Sequence, residues 1–483
     1  MDMGTYEKFL AINMERHNFV TMGQIYKTVI DRERNFEYDG EDVEAIPHVT
    51  DEIIKRIKEA GEKENADIVV VELGGTAGEY QNALYYEASR ILSRNKKNSV
   101  VHVHVSYLPT PSHLGEPKTK PTQLSVRTLN SMGIQPDFIV TRSEKPMDER
   151  RRARFALFCN VDPENVIDSV DLPTPYETPL NLAAQKMDEK ILDMLDLAHN
   201  SLDIKEWSDM VATVKAKKRA SVTIAIVGKY FATGEYQLRD SYAALMDAID
   251  HAAWQLGIDA RIRWIQAEKL EKGNIEDLKG ASGIIVPIGW GLRGVEGKIN
   301  AIQCARENNI PYLGLCYGMQ LAVVEYARNV LGLTGAHTLE CDVDTTNPVI
   351  HMVTGQDEIL KRRAYGGTMR LGSWECRVKE GTIADGSYMK HNAYSDASKK
   401  IVGERHRHRY EFNDTYTKQF EEAGMVIAGR SVVENLVEII ELAKEAHPFF
   451  LGTQYHPEYR SRPLEPHPIF LAYINACREL LQR

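Results

Sequence analysis

The stretch Pro311 to Gln320, PYLGLCYGMQ, sets a cysteine between two glycines where an apolar run gives way to a helical one. A strand that leads through Gly314, Cys316 and Gly318 into MQLAVVEYARNV predicts a sharp strand-to-helix turn that pushes the thiol out of a sheet. The helix N-terminus behind it favours the thiolate and offers backbone N–H groups to a developing oxyanion. The chemistry within reach is nucleophilic attack on a carbonyl. The same cysteine also reads as a small buried hydrophobe, and the glycines alone do not separate the two readings. His456 and Glu458 in QYHPEY do, because they follow the apolar run FFLGTQY and so stand at a strand end. An imidazole turned toward the thiol, its tautomer fixed by a carboxylate, is the logic of a Cys-His-acid triad.

Such a triad needs a sheet to carry it. With 483 residues the chain is long enough for two domains, each with its own core. Asp67 to Leu73 (DIVVVEL) reads as a strand buried on both faces of a parallel sheet, ending in Gly74-Gly75-Thr76. Further strands are expected at Val100 to Tyr107 and Asp137 to Thr141, spaced for crossover helices. A helical, then Lys/Arg-rich segment ends near Ala220, and the strand Val222 to Val227 opens a second α/β pattern. That pattern continues near Ala260 to Ile265, Gly283 to Val286, Pro311 to Leu315, Val426, Val437 and Phe449. The expected division is a first domain over 1–200, a linker over 201–220 and a second domain over 221–483. The expected fold class is α/β, each domain an open, mostly parallel sheet with helices on both faces.

A net charge of −10 argues against a nucleic-acid-binding surface, since phosphate neutralisation needs clustered cations. The six cysteines lack zinc or disulfide spacing, no apolar run approaches the roughly 20 residues that span a bilayer, and no signal peptide opens the chain. A cytoplasmic protein in a reducing compartment, without membrane association, is the expectation.

GLCYGMQ with a later YHPE resembles the class I, or triad, glutamine amidotransferases, which release ammonia from glutamine. The resemblance implies Cys316 as the nucleophile that forms a glutamyl thioester, His456 as general base and acid, and Glu458 as the orienting carboxylate. The loop VPIGWGLRGVEG, Val286 to Gly297, resembles that family's oxyanion loop, with Gly289 giving a backbone N–H beside that of Tyr317. Ile288 stands where glycine is usual and Tyr317 where leucine is usual, so altered loop dihedrals are expected at Ile288.

Five strings in order resemble the CTP synthases: ELGGTAGE at 72–79, EPKTKPTQLSVR at 116–127, RFALFCNV at 154–161, GGTMRLG at 366–372 and ERHRHRYEFN at 404–413. Read physically, KTKPTQ is a loop in which Pro121 discourages helix and aims Lys118 and Lys120 at phosphate, or it is a solvated basic turn. The run ERHRHRYE reads as a nucleic-acid patch, a metal-binding histidine run, or a strand with Arg405, Arg407 and Arg409 on one face and His406 and His408 on the other. The resemblance implies a P-loop-type synthetase domain, here truncated, followed by a class I glutamine amidotransferase domain.

It further implies that Arg409 meets the glutamine carboxylate, that Glu340 meets its ammonium, and that Gln320 is a further glutamine contact. Lys118, Gln123 and Arg154 take UTP- or CTP-holding places, as do Glu79 and Gln81, where this chain departs from the usual residues. Asp2 and Glu72 correspond to ligands of the Mg²⁺ that accompanies ATP. CTP as inhibitor, GTP as activator and a homotetramer are implied in the same way. Residues 1–60 contain no glycine-rich GK-type loop for ATP phosphates. The resulting expectation is a chain that by itself lacks ATP-dependent synthesis. A glutaminase-only or regulatory subunit, and a non-catalytic nucleotide-sensing or assembly protein, stand beside the full amination of UTP.

Overall fold

The computed structural model describes residues 2–94, 100–113, 115–198, 200–217, 220–229, 232–233, 236–237, 242–273, 275–353 and 369–482. The chain forms two compact units, residues 13–215 and residues 1–12 together with 216–483. Helix α1 (Asp2–Leu10), placed with the first domain by the sequence, therefore belongs to the second unit. Electrostatics explain this. Glu7 is 2% exposed and accepts two hydrogen bonds from the Arg405 guanidinium, one of them at 2.6 Å, with Arg462 at 3.7 Å. Lys8 pairs with Asp247 at 2.5 Å.

In the unit 13–215, helix α2 (Met22–Arg34) starts on a capping box in which Thr21 and Gln24 satisfy each other's backbone N–H. Helix α3 (Thr50–Glu64) ends on Asn65 in the left-handed conformation. With α4 (Ala83–Arg94) these helices bury Ile25, Val29, Val49, Ile53 and Ala88. The chain then alternates β1 (Val103–Tyr107), α5 (Lys120–Ser131), β2 (Phe138–Ser143), α6 (Glu149–Cys159) and β3 (Val166–Val170). The strands pair in parallel, in the order β1-β2-β3. Leu108, Val126, Ile139, Phe155 and Val166 fill the space between sheet and helices. Helix α7 (Lys205–Lys215) occupies most of the expected linker, and its Trp207 donates to the Tyr176 carbonyl at 2.7 Å.

Two expectations fail in this unit. Residues 67–73 form no strand, and Val70 is 89% exposed. An apolar run becomes a strand only where a neighbour takes its backbone hydrogen bonds. Among the described residues strand β1 is bonded on one side alone, by β2, and its own Val105 and Tyr107 are exposed. Pro121 is not a helix stop either, since it lies in the first turn of α5, where its missing N–H has no intrahelical partner to lose.

The other unit is built on one nine-stranded sheet. Its members are β4 (Ala220–Gly228), β5 (Ile258–Gln266), β6 (Gly283–Val286), β7 (Tyr312–Leu315), β8 (Arg370–Val378), β9 (Ile401–His408), β10 (Met425–Ser431), β11 (Val437–Leu442) and β12 (Phe450–Thr453). They run in the order β9-β8-β10-β11-β12-β7-β6-β4-β5, antiparallel from β9 to β12 and parallel from β12 to β5. Alternate side chains of β4 serve opposite faces. Ala225 and Val227 pack under α9 (Val295–Glu307) and α10 (Tyr317–Asn329), while Val222, Ile224 and Ile226 pack under α8 (Ala243–Gln255) and α11 (Pro468–Leu480). Among the described residues no helix is long and apolar enough to cross a membrane.

Glu7→Ala leaves the partly buried Arg405 and Arg462 without their carboxylate, and the unit is expected to lose about 3 kcal/mol, read as a lower urea midpoint. His251 is buried, and desolvation, then Lys8 and Arg462, push its pKa down to about 3. The unfolded chain therefore takes up a proton near its ordinary pKa of about 6.5 while the folded one stays neutral. Stability conferred by this group is present above that value and is lost as pH falls toward the folded pKa. His251→Gln is expected to flatten the acid limb of urea stability against pH, by up to about 1.4 kcal/mol per pH unit.

Candidate active site

Three neighbouring parallel strands, β12, β7 and β6, deliver the site from their carboxyl ends, where open α/β sheets place their functional loops. The register aligns Leu315 with Thr453 and Gly314 with Val286. The Cys316 N–H continues the ladder, donating to the Thr453 carbonyl at 2.7 Å. Cys316 then turns the chain at φ 53, ψ −97 and caps α10. An L-residue held there is strained, and close packing enforces it. A Cβ on Gly318 would stand 1.9 Å from the Val286 carbonyl oxygen, and one on Gly314 would meet the Gly318 backbone at 2.8 Å. Only glycines allow α10 to start this close to β6 and β7.

Beyond β12, His456 is fully buried, and its Nδ1 is 2.7 Å from Glu458 Oε1. That contact fixes the tautomer, leaving Nε2 without a hydrogen bond among the described residues. Burial opposes charge on the ring, but Glu458, Tyr459 and the Cys316 thiol outweigh it and hold the pKa well above the usual imidazole value. The arrangement sets a ring biased toward its protonated form beside a thiol at a helix N-terminus, a setting suited to nucleophilic chemistry at sulfur.

The loop after β6 carries Gly289. Ile288 does not adopt a positive φ, so its side chain brings no backbone strain and packs against the core instead. The loop is held by Lys229, just beyond β4, which donates to the carbonyls of Trp290, Gly291 at 2.9 Å and Arg293 at 3.1 Å. Arg293 returns a bond to the Lys229 carbonyl at 2.6 Å. Glu340 accepts the Gly291 N–H at 2.8 Å, and burial raises its pKa. Tyr317 reaches the Gly291 carbonyl and the Cys341 sulfur through its hydroxyl, both at 3.2 Å.

Gln320 is buried and donates to the Tyr410 carbonyl at 2.9 Å and to Gln454 at 3.2 Å. Arg409, half-buried, lies between β9 and Tyr410, and the expected alternation holds, with His406 and His408 buried and Arg407 outward. Both histidine rings are buried within the unit: they contact each other at 3.1 Å, and His406 lies 3.1 Å from Glu438, itself bonded by Arg370 at 2.6 Å. Gly366 to Thr368 of the GGTMRLG string lie outside the described residues.

Sequence reasoning missed Gln454, whose amide lies 3.5 Å from the Cys316 sulfur, as well as Lys229 and the Arg407 carbonyl 3.9 Å from that sulfur. Gln454 stands two residues before His456 on the same extended segment, and Lys229 stands at a parallel strand's end; both places carried a signal.

The nucleotide candidates lie in the unit 13–215. Glu79 accepts the Thr76 N–H at 2.9 Å and the Gln81 amide at 2.5 Å. Lys118 pairs with Glu116 at 2.6 Å, Gln123 bonds Thr119 at 3.2 Å, and Arg154 is exposed on α6. Beyond the Glu79–Gln81 bond, no hydrogen bond or ion pair joins these groups to one another among the described residues. Glu72 is in the irregular segment, and the side chain of Asp2 lies outside the described residues. Among the described residues no three His, Cys, Asp or Glu side chains are placed to hold a metal ion.

Comparison with known proteins covers both units. Residues 1–197 match the family model described as CTP synthase N-terminus, and residues 237–476 match glutamine amidotransferase class-I. A CTP synthase of Caldanaerobacter subterraneus subsp. tengcongensis is 45% identical over 482 residues, covering 99% of this chain and 86% of that protein. One from Pyrococcus abyssi is 44% identical, covering 100% and 86%. Among solved structures, the glutaminase domain of Trypanosoma brucei CTPS with bound acivicin is 34% identical over 53% of this chain and 94% of that one, with a TM-score of 0.47.

Glu458→Gln removes the charge that holds the imidazolium. Iodoacetamide alkylation of Cys316 at pH 6 is expected to slow relative to the parent chain, and glutamine turnover to fall by about 10²–10⁴-fold.

Proposed function

We propose that this chain, which belongs to the CTP synthase family, releases ammonia from glutamine at Cys316 and uses it, with ATP, to aminate UTP to CTP. The triad carries the reading: Cys316 on its strained turn, His456 locked to Glu458 at 2.7 Å, and the Gly289 loop, all at the ends of adjacent strands.

In the glutaminase step, the Cys316 thiolate attacks the side-chain amide carbonyl and His456 holds the thiol proton at Nε2. The oxyanion forms against the N–H groups of Gly289 and Tyr317. His456 returns the proton to the departing nitrogen, ammonia leaves, and water attacks the glutamyl thioester with His456 again as base. Gln454 steadies the sulfur, while Glu340, Gln320 and Arg409 receive the glutamine backbone. In the synthetase step, ATP phosphorylates the uracil C4 oxygen and ammonia displaces phosphate. Lys118, Gln123, Arg154, Glu79 and Gln81 are assigned to the nucleotide. Asp2 and Glu72 are the candidate Mg²⁺ ligands of the same reading, and no step is routed through the ion.

The domain division at 200–220, CTP inhibition, GTP activation, a homotetramer and a cytoplasmic location belong to the same reading. The relatives lend no support to the expectation that the chain lacks ATP-dependent synthesis, and the full reaction is proposed.

The test is ammonia release and CTP formation by the purified chain, with glutamine or ammonium chloride and with or without ATP, UTP and GTP. Cys316→Ala is expected to abolish glutamine-dependent CTP formation and to leave ammonium-dependent formation in place. Ammonia release without CTP from either nitrogen source would remove the synthetase half of the proposal, and loss of neither activity in Cys316→Ala would remove the triad.

A further inference from the structure

Beneath the oxyanion loop lies a lysine that the mechanism above does not use. Lys298 projects from α9 and is fully buried. Its ammonium has one hydrogen bond among the described residues, a long one of 3.4 Å to the Pro287 carbonyl. Burying a lysine with so little compensation is unfavourable, so its placement calls for a reason. The nitrogen stands 5.1 Å from the centre of the Tyr317 ring, and a Cβ on Gly289 would lie 2.8 Å from it. Lys298 thus packs against both residues whose backbone N–H groups face the developing oxyanion. Lys229 flanks the same ring at 5.5 Å, and its stem would meet the same Gly289 Cβ at 3.2 Å.

Resting on the glutaminase reading, we propose that Lys298 is a positioning residue for amide hydrolysis: its ammonium braces Pro287, Gly289 and the Tyr317 ring from behind. So braced, the two oxyanion donors keep their aim, and a positive charge lies near the site where negative charge develops. Inside a low-dielectric site such a charge acts strongly on a neighbouring thiolate or oxyanion. The charged and titratable groups that face it are Lys229 at the end of β4, Glu268, the Cys316 thiol and Glu340. Burial, joined by Lys229 and opposed by Glu268, Cys316 and Glu340, brings its pKa down to about 7. The brace is charged below neutrality and loses its charge as pH rises, so turnover in the transition state weakens on the alkaline side.

The experiment measures kcat and KM for glutamine hydrolysis from pH 5.5 to 9 in the parent chain, Lys298→Met and Lys298→Arg, with Cys316→Ala as blank and melting temperature as the control for folding. Lys298→Met is expected to lower kcat by about 10- to 100-fold with KM within about threefold, because the lost interaction is made in the transition state. It is also expected to lose the limb near neutral pH. Lys298→Arg keeps the charge without titrating in this range, so its kcat profile should be flat where the parent declines. Parent-like kcat and pH profile in Lys298→Met overturn the proposal. Should that variant melt below assay temperature, the Arg variant decides, and a parent-like neutral limb overturns it. A parent chain without Cys316-dependent ammonia release removes the glutaminase reading itself, whereas an active parent with a parent-like Lys298→Met removes only the role of Lys298.

Discussion

Everything in the catalytic unit depends on three parallel strands ending level with one another. Strands β12, β7 and β6 are bonded side by side, and each gives the site one part at its carboxyl end: the His456–Glu458 pair, Cys316 and the Gly289 loop. Backbone hydrogen bonds set this alignment more rigidly than any side-chain contact could, because a slip of one residue would turn every side chain to the opposite face. The Cys316 N–H bond to Thr453 extends the ladder into the turn itself, so Cys316 is tied to the strand that leads into His456.

The strain at Cys316 and the buried charges around it are consequences of that alignment. Starting a helix directly from β7 leaves no room for a relaxed turn, and Gly318 against the Val286 carbonyl shows how tight the crossing is. The same packing gathers Lys229, Lys298, Glu340, Glu458 and His456 in a largely buried region. Charges there interact strongly, and most have a close partner, loop carbonyls for Lys229, the Gly291 N–H for Glu340 and the imidazole for Glu458, whereas Lys298 has only its long bond to the Pro287 carbonyl. The rigid sheet allows this, since donors placed on strand ends need not reorganise during reaction. Helix α1 adds support at a distance. Its Glu7 holds Arg405, whose carbonyl accepts the His456 N–H at 2.8 Å.

The unit 13–215 shows the limits of reading strands from apolar runs. Val100 to Tyr107 and Asp137 to Thr141 were recognisable, and β1 and β2 form within or close to them because each has a partner strand. DIVVVEL has a stronger strand composition than either, yet its residues stay irregular and exposed, because composition gives a segment a preference while pairing decides its state. Pro121 errs in the other direction: a residue read as a breaker is accommodated because it falls in a helix's first turn.

By itself the sequence singled out Cys316, His456 and Glu458, the α/β class, and most strands of the larger sheet, with Arg370–Val378 unrecognised. Each of these rests on local order: glycines about a cysteine at a strand end, a histidine two residues before a glutamate, and apolar runs of strand length. Only the tertiary structure decided that α1 joins the larger unit through Glu7, that Gln454 lies against the thiol, that Ile288 packs against the core, and that two lysines lie behind Tyr317. Those depend on residues as far apart as Glu7 and Arg405, or Gln454 and Cys316, meeting through the sheet's strand order, and local spacing carries no record of that order.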